Sequence, residues 1–295
     1  MSPPTTRGGH PNLREKTFAA GSVEINYAEG PRNGQPLVLL HGLARNWQDF
    51  LPLIPKLSQR WNVYAVDMRG HGRSARVPRG YASSAYAADV VELLSKVVGE
   101  PAVLFGHSMG AVAVMHVAAE QPQLVQACIL GDNVLFRDTL AHSMYPALFA
   151  ALHQLVLEGG SLREMAARLA KVRIHVPGLD YPVAIGDLPG NDEAYLLKWA
   201  DCLQQADPEA LGMTLDGSTL ADFDGEDLLR RMKCPTLLLQ ASPELGGLMP
   251  NAEVERAMRL LARPKLVRFP LLGHALHLQQ AQPVLQAVCA FLDSL

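Results

Sequence analysis

A serine stands between two glycines in Gly106-His107-Ser108-Met109-Gly110, after the apolar run Ala102 to Phe105 and before the helical pattern AVAVMHVAAEQ. At so tight a strand-to-helix reversal the central residue is held in a strained backbone conformation, and flanking residues without side chains make room for it. The turn lifts the Ser108 hydroxyl out of the sheet at a helix N-terminus, where backbone N–H groups face a developing anion. Such a serine attacks a carbonyl carbon, and it needs a general base that is itself held by an acid.

In strand-turn-helix sites of this kind the chain order is serine, acid, histidine, so the base comes late. Leu271-Leu272-Gly273-His274 follows the last apolar run and precedes the last helical pattern, which makes His274 the candidate base. His277 is the nearest rival but falls inside or beside the start of a helix, while His10, His41, His71 and His116 lie in the tail, in glycine turns or within a helix. Asp132, one residue beyond the apolar run Val125 to Gly131, is the preferred acid. Glu244, in the looser stretch SPELGGLMP, is the alternative. The two N–H donors for an oxyanion are expected from Met109, next to the nucleophile, and Leu43, in the loop His41-Gly42-Leu43-Ala44 after the run LVLL. Asp67 to Ser74 (DMRGHGRS) reads as a crowded loop with a structural role.

The elements that must position these residues are legible as an alternation. Lys16 to Ala20 and Val23 to Ala28 flank Gly21-Ser22 and predict a hairpin. Leu37 to His41, Val63 to Asp67, Ala102 to His107 and Val125 to Gly131 are short apolar runs, interleaved with helical patterns at Ser84 to Val98 and Met109 to Gln121. Strand and helix in turn predict a mostly parallel sheet with helices on both faces. From Asn133 to Cys234 the alternation stops, for roughly 100 residues, too many for a loop in a compact domain. Helical patterns at Ala147 to Leu157, Ser161 to Ala170 and Asp192 to Ala206, broken by Pro177, Pro182 and Pro189, make this an inserted helical cap. Strand patterns return at Cys234 to Gln240 and Lys265 to Phe269, with helices at Asn251 to Ala262 and Pro283 to Leu295. The expected organisation is a flexible tail at 1–16, a core of 17–132 and 227–295, and the cap at 133–226.

Composition bounds the function. The 295 residues are 48% hydrophobic and 19% charged, which excludes a disordered chain. A net charge of −3 with scattered arginines leaves no electrostatic case for nucleic acid. No segment has the 18 uninterrupted apolar residues of a membrane span and residues 1–16 lack a signal-peptide core, so a cytoplasmic protein with no membrane partner is expected. Cys128, Cys202, Cys234 and Cys289 read as buried thiols; no zinc spacing and no cofactor motif is present. Leu135, Phe136, Met144, Tyr145, Phe149, Tyr195 and Trp199 in the cap, with Trp47 beyond the oxyanion loop, together suggest an apolar pocket for a small molecule.

On the motifs His41-Gly42, Asp67 to Ser74, Gly106 to Gly110 and Gly273-His274, the chain resembles the α/β-hydrolase superfamily, in the group with a helical cap. The resemblance covers about residues 17 to 295 outside the cap. It implies an eight-stranded sheet, Ser108 as nucleophile and His274 as base. The stretch after the seventh strand, Ala241-Ser242-Pro243-Glu244, departs from the usual G-x-x-D; members that carry the acid after the sixth strand match Asp132 instead. The implied activity is cofactor-free hydrolysis of a carboxylic ester or lactone. C–C bond cleavage, acyl transfer or haloperoxidation on the same triad, and a slow-turnover ligand receptor, are the rivals.

Overall fold

The computed structural model describes residues 13–295. Residues 1–12 of the expected tail lie outside the described residues, and Arg14 to Lys16, also assigned to it, already belong to the first strand. Eight strands form one sheet: β1 Arg14–Ala20, β2 Val23–Glu29, β3 Pro36–Leu40, β4 Asn62–Val66, β5 Ala102–His107, β6 Val125–Gly131, β7 Pro235–Ala241 and β8 Arg263–Phe269. Their spatial order is β1-β2-β4-β3-β5-β6-β7-β8. The β1–β2 and β2–β4 pairs are antiparallel and all others parallel.

The central strands are predominantly apolar because both faces are covered. Val38, Leu40, Leu104, Leu130 and Leu238 enter one core, while Leu37, Leu39, Val103, Ile129 and Leu237 enter the other. Helices α1 Ser83–Leu93 and α2 Met109–Glu120 cover the first face, together with elements introduced below. The second face is covered by short helical turns between Trp47 and Leu57 and by the C-terminal helix. The pattern expected as one helix to Val98 has a wider last turn, Leu94–Val98, in π-helical form, ended by Gly99 at φ +77°.

Between β6 and β7 the chain runs through α3 Tyr145–Glu158, α4 Leu162–Lys171, α5 Glu193–Gln205, α6 Pro208–Leu215 and α7 Gly225–Arg231. Ser161 caps α4 in a reciprocal capping box with Glu164, and Asp192 caps α5 through the Tyr195 amide. Sequence patterning missed α6 and a two-stranded ribbon, Arg173–Ile174 with Val183–Ala184, which are too short to show a period. Helix α7 straddles the expected 226/227 boundary. Helices α8 Asn251–Leu260 and α9 Ala281–Leu292 complete the fold on the first and second faces. No described helix is long and apolar enough to cross a membrane.

Candidate active site

At the end of β5, Ser108 has φ 53° and ψ −119°, a conformation L-residues seldom adopt. Its N–H donates to the Gly131 carbonyl at 2.9 Å, and its own carbonyl takes the first N–H groups of α2, from Ala111 and Val112, at 3.0 and 3.2 Å. The flanking glycines serve proximity, not unusual dihedrals. A Cβ on Gly110 would lie 2.2 Å from the Leu40 carbonyl oxygen, and one on Gly106 would lie 2.4 Å from the Ala111 nitrogen. They let α2 pack directly on β3 and β5, so the serine emerges at the helix end.

Asp132 follows β6 at φ 35° and is completely buried. Its own N–H is tied to the Leu239 carbonyl at 2.9 Å, which fixes the turn leaving the strand. Its carboxylate has no water to lean on and is satisfied from the protein: the Ala241 amide donates to Oδ1 at 3.0 Å and the Leu248 amide to Oδ2 at 2.9 Å. His274 Nδ1 lies 2.7 Å from the same Oδ2. A carboxylate can only accept, so Nδ1 carries a proton, and in the neutral ring Nε2 is then the nitrogen with the lone pair. The His274 side chain is 16% exposed, while its Asp132 partner is fully buried.

The alternatives are placed elsewhere. Glu244 sits in the turn Pro243–Leu245 and lines an open groove with Glu255, Arg268 and Pro270; its backbone carbonyl accepts the Gly178 amide at 2.8 Å. His277 is buried with its ring stacked on Phe50, centroids 5.0 Å apart, and burial pulls its pKa down to about 4. His107, next to Ser108, donates from Nε2 to the His274 carbonyl at 2.9 Å, so the turn after β5 and the His274 loop are joined directly.

The loop after β3, expected to supply an oxyanion donor, lies against Ser108. A Cβ on Gly42 would come within 3.1 Å of Ser108 Cβ and 3.6 Å of Oγ. In the sequence His41 stands in a glycine turn, at the head of the loop that carries Leu43. The structure gives it two partners: Nδ1 donates to the Gly42 carbonyl at 2.7 Å and Nε2 accepts the Met68 amide at 3.0 Å. That arrangement needs the neutral ring, and burial, reinforced by neighbouring His71, lowers the His41 pKa to about 3. Leu43, next to Gly42, and Met109, next to Ser108, are both buried, and Met109 opens α2, where the first amides have no partner within the helix.

The loop Asp67 to Ser74 supports this region from behind. Buried Asp67 accepts from the Trp47 amide at 2.9 Å, the Arg73 amide at 2.9 Å and Asn26 Nδ2 at 2.8 Å. Burial still lifts its pKa to about 6 against those three donors. Gly72 is required here, since its Cβ would stand 2.2 Å from the Asp67 carboxylate.

A buried ion pair, not singled out from the sequence, joins the loop after β3 to α5. Arg45 donates from Nε and Nη2 to Asp49 at 2.6 and 3.1 Å, and Lys198 of α5 approaches Asp49 at 3.5 Å. The Arg45 guanidinium also lies 5.5 Å from the Tyr195 ring centroid and 5.2 Å from that of Trp199. Burial alone would raise the Asp49 pKa, but Arg45, followed by Lys198, more than reverses this and holds it below the usual range. The spacing Arg45-x-x-x-Asp49 was visible; the partner helix 150 residues away was not.

A family model described as the alpha/beta hydrolase family matches residues 37–287. The chain belongs to that family. Over 136 residues, 46% of this alpha/beta hydrolase and 48% of the relative, it is 35% identical to the 2-(acetamidomethylene)succinate hydrolase of Mesorhizobium japonicum, so it spans about half of that protein. With the sn-1-specific diacylglycerol lipase ABHD11 of Xenopus tropicalis it shares 27% identity over 286 residues, 95% of this chain and 85% of the relative. Among solved structures, an E-2-(acetamidomethylene)succinate hydrolase superposes with a TM-score of 0.75 at 24% identity, covering 95% of this chain and 99% of the other. The enol-lactonase of Burkholderia xenovorans LB400 gives 0.73 at 20% identity, over 94% and 100%. These superpositions carry the fold.

Proposed function

We propose that this alpha/beta hydrolase cleaves a carboxylic ester or lactone of a small, largely apolar molecule through an acyl-enzyme, with Ser108, His274 and Asp132 as the triad. His274 Nε2 takes the Ser108 proton as Oγ attacks the carbonyl carbon, and Asp132 stabilises the imidazolium so formed. The amides of Leu43 and Met109 receive the oxyanion. The imidazolium then protonates the leaving alkoxide, and a water activated by the same Nε2 releases the acid and restores Ser108. Residues 133–226 act as the cap and bring Tyr145, Phe149, Tyr195 and Trp199 over the site. The observation that carries this reading is the 2.7 Å contact of His274 Nδ1 with a buried carboxylate that two further backbone amides hold in place.

Two similar proteins favour different substrates: an enol-lactonase supports the lactone, whereas a hydrolase of an acetamidomethylene succinate favours a second reading in which the same triad cleaves a bond other than an ester. A screen of ester, lactone, amide and diketone substrates, each run against a Ser108→Ala control, separates them. Serine-dependent turnover fastest on an ester or lactone supports the proposal; turnover confined to the other classes replaces it with the second reading.

A further inference from the structure

Tyr145 opens α3, the first long helix after Asp132, and it is buried against the catalytic pair. Its ring meets the His274 imidazole edge to face, centroids 5.0 Å apart and planes at 60°. Its hydroxyl donates to the Gly246 carbonyl at 2.8 Å. Two residues later in that loop, the Leu248 amide holds Asp132 Oδ2, the oxygen shared with His274 Nδ1. One side chain therefore packs on the imidazole and also holds the loop whose Leu248 amide binds the carboxylate. The loop it grips is folded tightly: Gly247 N–H returns to the Ser242 carbonyl at 2.8 Å, and Gly246 has φ +87° with Met144 Sδ only 2.9 Å from where a Cβ would stand. Burial, then the nearby Asp132 charge, keeps the phenol above its usual pKa, so the hydroxyl remains a donor.

We infer that Tyr145 is a positioning residue through which the inserted helices hold His274 in register with Asp132. The inference rests on the triad reading above. Rotation of an imidazole about its last side-chain torsion is only weakly hindered by intrinsic preference, so a packed ring and a fixed carboxylate must set its plane. Misplacing a catalytic group by about 1 Å costs up to about 100-fold in rate. The insert contributes that constraint through a single side chain, in addition to any contact it makes with substrate.

Two variants divide the contributions. Tyr145→Phe keeps the ring and loses the hydroxyl; Tyr145→Leu loses both. The readouts are kcat per site titrated with a serine-directed probe, KM, and the strongly deshielded proton NMR signal of His274 Nδ1–H bonded to a carboxylate. Tyr145→Leu is expected to broaden or abolish the signal and lower kcat per titrated site about 10- to 100-fold, with KM within about twofold. Tyr145→Phe is expected to retain the signal, with faster exchange against water, and to lose about threefold to tenfold in kcat. A Leu variant with wild-type signal and kcat, or one raised in KM alone, overturns the inference. So does a Phe variant unchanged in both exchange and kcat, whether or not the Leu variant folds. Should the wild type show no Ser108-dependent turnover, the triad reading fails, while the NMR signal and its response to the Leu variant still decide the role of Tyr145.

Discussion

Replacing Asp132 by asparagine changes one acceptor atom at a point where the surroundings offer only donors. The buried carboxylate takes three hydrogen bonds, from Ala241, Leu248 and His274. An amide presents one oxygen and one NH2 to the same groups. With the oxygen toward Leu248 and His274, the NH2 confronts the Ala241 amide. With the oxygen toward Ala241, the NH2 confronts Leu248 and forces His274 Nδ1 to accept, so that Nε2 carries the proton and cannot take one from Ser108. Either orientation leaves a buried backbone donor unpaired, a loss of about 1–3 kcal/mol that lowers the melting temperature by several degrees. The second orientation also gives the wrong tautomer, and the expected loss is up to about 10⁴ in kcat. The assay is kcat and KM on the best substrate from the screen, with folding followed by thermal melts. Glu244→Gln, altered on an open groove, is expected within about tenfold of wild type. A folded Asp132→Asn protein within tenfold of wild-type kcat, or the reverse ranking of the two variants, refutes the assignment.

Gly42→Ala sets a methyl 3.1 Å from Ser108 Cβ and 3.6 Å from Oγ; it should lower kcat by about 10- to 1,000-fold, comparable to loss of an oxyanion donor, with little change in melting temperature, and unimpaired turnover would show that the loop does not bound the reacting atoms. Stability should fall on acidification. His71 and His277 are drawn to about 4 and His41 to about 3 by burial, against about 6.5 when unfolded, so the unfolded chain binds more protons as pH drops below 6.5. Each contributes a loss of about 2 kcal/mol by about pH 5, and Asp67, raised to about 6, returns somewhat more than 1 kcal/mol, leaving a net loss of several kcal/mol. Denaturant unfolding at about pH 8 and 5 measures it; a difference below about 1 kcal/mol contradicts the buried neutral histidines.

The sheet was readable because its central strands are buried on both faces and so appear as unbroken apolar runs; β5 and β6 fall where the sequence placed them. The turn after β5 was equally plain, although its glycines answer to close packing of α2 on β3 and not to strained dihedrals at their own positions. Asp132 could be favoured from its place one residue past β6, but the two amides that fix its carboxylate come from residues 241 and 248, more than 100 positions away. The same distance hid the approach of Lys198 to Asp49 and the grip of Tyr145 on Gly246. Periodicity reports which face of an element is buried; it does not report which buried polar groups meet. The structural role expected of Asp67 to Ser74 takes the form of Asp67 holding the Trp47 amide and Met68 donating its amide to His41.

The central claim, that Ser108 is activated by His274 and Asp132, is tested most directly by reacting the folded protein with a fluorophosphonate and mapping the adduct by peptide mass spectrometry. An activated serine reacts where idle ones do not. The expected result is one adduct per chain on Ser108, absent in Ser108→Ala and slowed at least about 100-fold in His274→Ala, with the fold retained in both. Label on another serine, or none on folded wild-type protein, contradicts the account.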